Sequence, residues 1–175
     1  MLKLSKHILE LPVMSLRTGG QVALATRPII NPNNLQIEGW RCEDQFGKHE
    51  LILLKQDVRD FVPQGIAVDD HEVLTEAGEL IRLQEVLELD FELISKQVVT
   101  NHRRKLGKVS DYALDPLTMK IQKLYVARPV YKSLTEGQLQ IDRSQIIEIT
   151  PSRVVVRDAD VTEEKPMPAA MPATP

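Results

Sequence analysis

A pattern that occurs twice constrains this chain more than any other feature. Gln21-Val22-Ala23-Leu24-Ala25 leads to Ile30-Asn31-Pro32 and Ile37, while Lys105-Leu106-Gly107-Lys108-Val109 leads to Leu114-Asp115-Pro116 and Ile121. The two align without a gap, because Pro32 to Pro116 and Ile37 to Ile121 are both steps of 84 residues. A second block matches Ile66-Ala67-Val68-Asp69 and Val73-Leu74 to Leu139-Gln140-Ile141-Asp142 and Ile146-Ile147. Its step is 73, which makes the middle loop of the second copy 11 residues shorter. Similarity at one long period means a small unit duplicated. The expected copies are residues 8–76 and 92–160, joined by a linker helix over residues 77–91 and followed by a disordered tail, residues 161–175.

Length and composition suit that organisation. A chain of 175 residues, 42% of them hydrophobic, holds two units of roughly 75–85 residues. Units of that size sit near the lower limit for a self-sufficient core, so two packed together are more stable than either alone. The formal charge of −3 lacks the basic excess that marks nucleic-acid binders. Cys42 is the only cysteine, which rules out an intrachain disulfide and a Cys-rich zinc site and fits a reducing compartment. Lys3 and Lys6 precede an apolar stretch too short for a signal-peptide core. No apolar run approaches the roughly 20 residues that span a bilayer. The expectation is a cytoplasmic protein with no membrane insertion.

Local patterns give short strands and turns. Arg17-Thr18-Gly19-Gly20 is a turn, since consecutive glycines permit positive φ. Asn31-Pro32-Asn33-Asn34 is another, because Pro presets φ and Asn bonds to nearby backbone. Asp69 with Glu72, and Asp142 with Gln145, have capping-box spacing and predict a helical turn in each copy. Between the copies, Leu80, Leu83 and Leu87 fall on one face of a helix. The segment from Thr162 to Pro175 is rich in Pro, Ala and charge, the composition of a disordered end. The expected fold class is therefore mainly β, two small barrels or sandwiches in tandem joined by a short helix.

The residues Lys105-Leu106-Gly107-Lys108-Val109-Ser110-Asp111, then Leu114-Asp115-Pro116 and the strand from Ile121 through Leu124, resemble the PRC-barrel domain. Ile141-Asp142 with Ile146-Ile147 resembles a later part of it. The first copy departs from the pattern, with Ala23 at the Gly107 position and Arg27 at the Asp111 position. Barrels of this family form the cytoplasmic part of a photosynthetic reaction-centre subunit and the C-terminal domain of a ribosome-maturation factor. Others are stand-alone barrels implicated in archaeal cell division. The resemblance implies two PRC-type barrels in a non-enzymatic adaptor that binds other macromolecules, with no catalytic residue and no cofactor to carry over. No membrane helix precedes the first copy, which points away from a reaction-centre subunit.

Few side chains suggest a site. His102-Arg103-Arg104-Lys105 is a basic turn that could contact phosphates through counterion release. A solvated hairpin tip explains the same residues, since charge also blunts edge pairing. Trp40, the only tryptophan, suits either a barrel core or a partner contact. Asp69-Asp70-His71-Glu72 is dense in potential metal ligands, but adjacent side chains diverge, and no metal site is expected. A structural role suits Cys42, because no acid or oxyanion partner accompanies it. The functional expectation is a cytoplasmic adaptor or scaffold, monomer or homodimer, that binds a protein partner. The alternative is an RNA- or ribosome-associated maturation factor using His102–Lys105.

Overall fold

The computed structural model describes residues 1–47, 49–129 and 137–158. The expected tail, residues 161–175, lies outside the described residues. The described strands are β1 (Lys3–Leu4), β2 (Leu11–Ser15), β3 (Gln21–Asn31), β4 (Gln36–Asp44), β5 (Glu50–Leu54), β6 (Asp60–Val62) and β7 (Gly65–Val68) in the first half. The second half holds β8 (Gln97–Thr100), β9 (Lys105–Asp115), β10 (Lys120–Ala127), β11 (Leu139–Asp142), β12 (Ile146–Ile149) and β13 (Arg153–Val156). The chain is thus mainly β, and the halves repeat strand for strand. In each, a long hairpin (β3–β4, β9–β10) is flanked by a strand that pairs in parallel with the last one, Val13 beside Ile66 and Val98 beside Val154.

All of these strands share one sheet, ordered β12-β13-β8-β9-β10-β4-β3-β2-β7-β6, with β5 on β4, β11 on β10 and β1 on β9. The sheet does not close into a barrel, which departs from the expected pair of closed barrels. The reason lies at two corners. A 3-10 turn at Lys55–Asp57 separates β5 from β6, and one at Arg143–Gln145 separates β11 from β12. These strands are neighbours in sequence but have no ladder between them, so β6 and β12 are the two ends of the sheet.

The halves meet on a pseudo-twofold axis. Ile37 N–H donates to Met119 O at 2.8 Å, and Ile121 N–H donates to Leu35 O at 2.9 Å. Each bond is the other moved by 84 residues, so the axis passes between the paired Gln36 and Lys120. Leu35 and Met119 occupy the same turn position, and both adopt positive φ, 49° and 57°. One continuous apolar cluster runs through this joint, taking Ile8, Ile37 and Trp40 together with Tyr112, Ile121 and Leu124. Burying each such side chain contributes about 1.5–3 kcal/mol, so the joint is itself a core.

Each half also lends the segment that leads into it to the other half. β1 precedes the first half, yet it pairs with β9, Lys3 beside Leu114. The linker precedes the second half, yet it lies on the first. Its 3-10 turns at Ala77–Glu79 and Ile81–Leu83 run into α1 (Gln84–Leu89), shorter than the expected helix. Leu80, Leu83, Val86 and Leu87 cover Ile29, Ile52 and Leu54, so the apolar face predicted by periodicity is the face that packs. Arg41 fastens the end of α1 by donating to Leu87 O at 3.1 Å and pairing with Glu50 at 2.7 Å.

The strand register corrects one equivalence between the copies. Trp40 faces Leu53 and Leu124 faces Ile141, so β5 corresponds to β11 at a step of 88 residues. Val154 corresponds to Ile66 at the same step. The middle connection of the second half is therefore four residues longer (88 against 84), not 11 shorter, and Leu139–Asp142 does not match Ile66–Asp69.

Candidate functional site

The basic turn is built by Thr100. This buried residue accepts the His102 and Arg104 N–H groups on its hydroxyl, at 3.3 and 3.1 Å, and donates its own N–H to Arg104 O. Arg103 takes the positive φ that closes the turn, at 65°. His102, Arg103, Arg104 and Lys105 are all exposed. Two of the four are paired, however. Asp158 lies 3.1 Å from His102 Nδ1 and 3.3 Å from Arg104 Nη2, and its N–H donates to Asn101 Oδ1. The chain thus returns a carboxylate to the cluster from 56 residues away, which lowers the field a polyanion would meet.

Trp40 is fully buried, at 0% exposure, and its Nε1–H donates to Ile8 O at 3.1 Å. The structure assigns it to the core, and the surface contact considered for it has no exposed atoms to act with. Phe61 packs edge-on against it with ring centroids 5.8 Å apart.

The acidic stretch near residue 70 disperses. Asp69 accepts two bonds from Arg59, at 2.9 and 2.6 Å, Asp70 binds Ser15 and Arg17, and His71 Nε2 lies 2.8 Å from Asp44. Among the described residues no three such side chains converge on a point. The expected capping box at Asp69 is absent, because the 3-10 turn begins one residue later, at Asp70, whose side chain makes no cap. The one at Asp142 forms, with both arms in place and Asp142 N–H donating to Gln145 Oε1 at 2.6 Å. Burial works to raise the Asp44 carboxyl, but hydrogen bonds from His71 and Phe46 N–H outweigh it and hold the group below its ordinary range. Burial pushes the Cys42 thiol up to about 12, so it stays protonated at neutral pH and is a poor nucleophile.

Two clefts that no sequence pattern marks flank the pseudo-twofold axis. In one, of about 460 Å³, the β9–β10 turn (Pro116 to Met119) faces Val58, Arg59 and Phe61 of the first half. In the other, of about 400 Å³, the β3–β4 turn (Pro32 to Leu35) faces Ile146, Ile147 and Ile149 of the second half. The turns correspond at a step of 84 and the facing strands at 88, so these are one site occurring twice. The turns were legible as Asn-Pro and Asp-Pro signals. What they face was not, since it is set by the register across the joint.

Comparison with known proteins supplies no identity: neither a protein-family model nor a curated protein matches this chain. Among the described residues no helix is long and apolar enough to cross a membrane.

Proposed function

We propose that this chain is a non-enzymatic cytoplasmic adaptor of tandem PRC-barrel type, which binds a protein partner through the ends of its sheet and the clefts beside them. One observation carries the reading. β6 and β12 end the sheet, each has a single ladder among the described strands, and each lines a cleft at the joint between halves. A strand with an open edge beside a groove is the geometry used for strand addition, in which the main chain supplies affinity and pockets supply specificity. The repeated strand order and the resemblance around Lys105–Asp111 support a duplicated PRC-type unit, here opened into one sheet. Because the halves already form a pseudo-dimer, a single chain is sufficient. The RNA reading has weaker support, as Asp158 pairs with both His102 and Arg104.

The test is affinity purification of the tagged chain at low and moderate salt, with and without nuclease. Defined proteins that persist through both treatments support the adaptor reading. Loss of every partner on nuclease treatment transfers the function to RNA, and the absence of reproducible partners removes the adaptor reading.

A further inference from the structure

The two clefts occupy equivalent positions, and their chemistry differs. The β12 cleft is lined by one cation, Arg143, and one carboxylate, Glu148. The β6 cleft is lined by three cations, Lys3, Lys55 and Arg59, against the single carboxylate of Asp60, although the chain as a whole carries −3. Arg143 lies across the joint, donating to Leu35 O and Ile121 O at 3.2 and 3.1 Å and to Asn34 O. Lys55, its counterpart, turns away to Glu38 at 2.7 Å, and the shorter Gln36 reaches over the joint there instead, its Nε2 donating to Thr118 O at 2.8 Å.

The apolar wall differs as well. Leu117 is 93% exposed at the corner of the β6 cleft, where the other turn has Asn33. Both residues donate their N–H to the side chain two positions earlier, Leu117 to Asp115 and Asn33 to Asn31, each at 3.0 Å. The turn therefore forms equally well with a polar residue, and its geometry does not explain an exposed leucine. Opposite lie Val58 and Phe61, both half-buried, and the Lys3 ammonium sits 5.5 Å from the centre of the Phe61 ring. Arg59 is held by Asp69, but both partners are about half exposed, at 51% and 55%. A pair this exposed is weak, so a new carboxylate can compete for the guanidinium.

We propose that the β6 cleft is a docking groove for an extended acidic peptide of a partner protein. An apolar side chain of the peptide packs between Leu117 and Phe61, and its carboxylates lie beside Lys3 and Arg59. The peptide runs along the open edge of β6, where alternate side chains face the cleft. Its volume, about 460 Å³, falls in the range of clefts that take small ligands. The inference rests on the adaptor reading and gives it a site and a ligand class.

The experiment uses the full chain, labelled with ¹⁵N, and a synthetic hexapeptide alternating glutamate with valine and phenylalanine. Amide shifts are expected at β6, at the turn from Asp115 to Met119 and at Lys3, weakening as salt is raised. The double variant Arg59→Glu with Leu117→Asp, both at exposed positions, is expected to lose roughly tenfold or more in affinity. The control variant Leu16→Asp with Lys108→Glu, both exposed and outside the two clefts, is expected to bind as the parent does. A peptide with lysine in place of glutamate is expected to bind at least about tenfold more weakly. Shifts that map elsewhere, equal binding of the lysine peptide, or the same shifts produced more strongly by an oligouridine would each overturn the proposal. Affinity purification with the double variant separates the two readings. Partners retained by it leave the adaptor standing and remove the groove, whereas a peptide bound in the cleft without any cellular partner does the reverse.

Discussion

Where the first half places Arg27 against Asp90, the second places Asp111 against Ser5. The positions correspond, because Glu10 and Ser95 both adopt positive φ ahead of β2 and β8, and Ile8 and Leu93 are both buried after the contact. In one half the leading segment is fastened by an exposed ion pair, Arg27 Nη2 to Asp90 at 2.6 Å, with Glu92 at 2.8 Å on the other nitrogen. In the other half, Asp111 accepts the N–H of Ser5 at 3.0 Å and its hydroxyl. Ser5 is buried, so that link is sheltered from solvent. Duplication here has kept where the chain is held and changed the chemistry that holds it.

The contrast is sharpest in the core. Trp40 and Leu124 are equivalent and both fully buried. Trp40→Ala should cost about 3–5 kcal/mol and Leu124→Ala about 2–5 kcal/mol in denaturant unfolding. Loss of the bond to Ile8 O should make the tryptophan change the larger by about 1 kcal/mol. Equal costs would mean that the indole hydrogen bond adds nothing.

A smaller asymmetry follows from Gly39, where an added Cβ would lie 2.2 Å from Leu53 O, against Lys123, which carries a full side chain at the equivalent place. Gly39→Ala is expected to destabilise by about 1–3 kcal/mol, and Lys123→Ala to stay within about 0.5 kcal/mol of the parent. Thermal unfolding of the two variants checks this.

The fastening contacts come next. Asp111→Ala leaves the buried Ser5 groups unpaired and should cost about 1–3 kcal/mol regardless of salt. Arg27→Ala should cost no more than about 1 kcal/mol, and the effect should fade as salt rises. Salt titration of both variants reads the difference, and parallel salt curves would break the comparison.

The least effect concerns acid. Asp44 sits where the second half has Arg128, and its carboxyl titrates below its ordinary range. Its contribution to stability is present above the unfolded-state value and disappears as pH falls through the lowered folded one. Asp44→Asn should therefore flatten the acid limb of the stability profile and leave the neutral plateau nearly parallel.

The same comparison explains what the sequence could disclose. The hairpins were legible because Asn31 and Asp115 must each bond the N–H two residues on, whatever surrounds them. The step of 88 was hidden because β5 and β11 do not look alike. Leu51–Leu54 is apolar throughout, since α1 covers the outer face at Ile52 and Leu54. Leu139–Asp142 alternates, because Gln140 and Asp142 face solvent. An all-apolar and an alternating strand then occupy one structural position, and Ile66–Asp69 resembled β11 more than its true counterpart did. The fold class and the linker face were within reach of local pattern. Asp158 beside the basic turn, and Lys3 beside Phe61, depend on contacts between distant parts of the chain.

The exchange of leading segments sets an order of events during synthesis. Ser5 meets Asp111 across 106 residues. At roughly 5–20 residues per second, β1 waits on the order of 5–20 s before its partner has left the ribosome. β1 thus stays unclaimed until β9 has been made, after the whole of the first half and the linker.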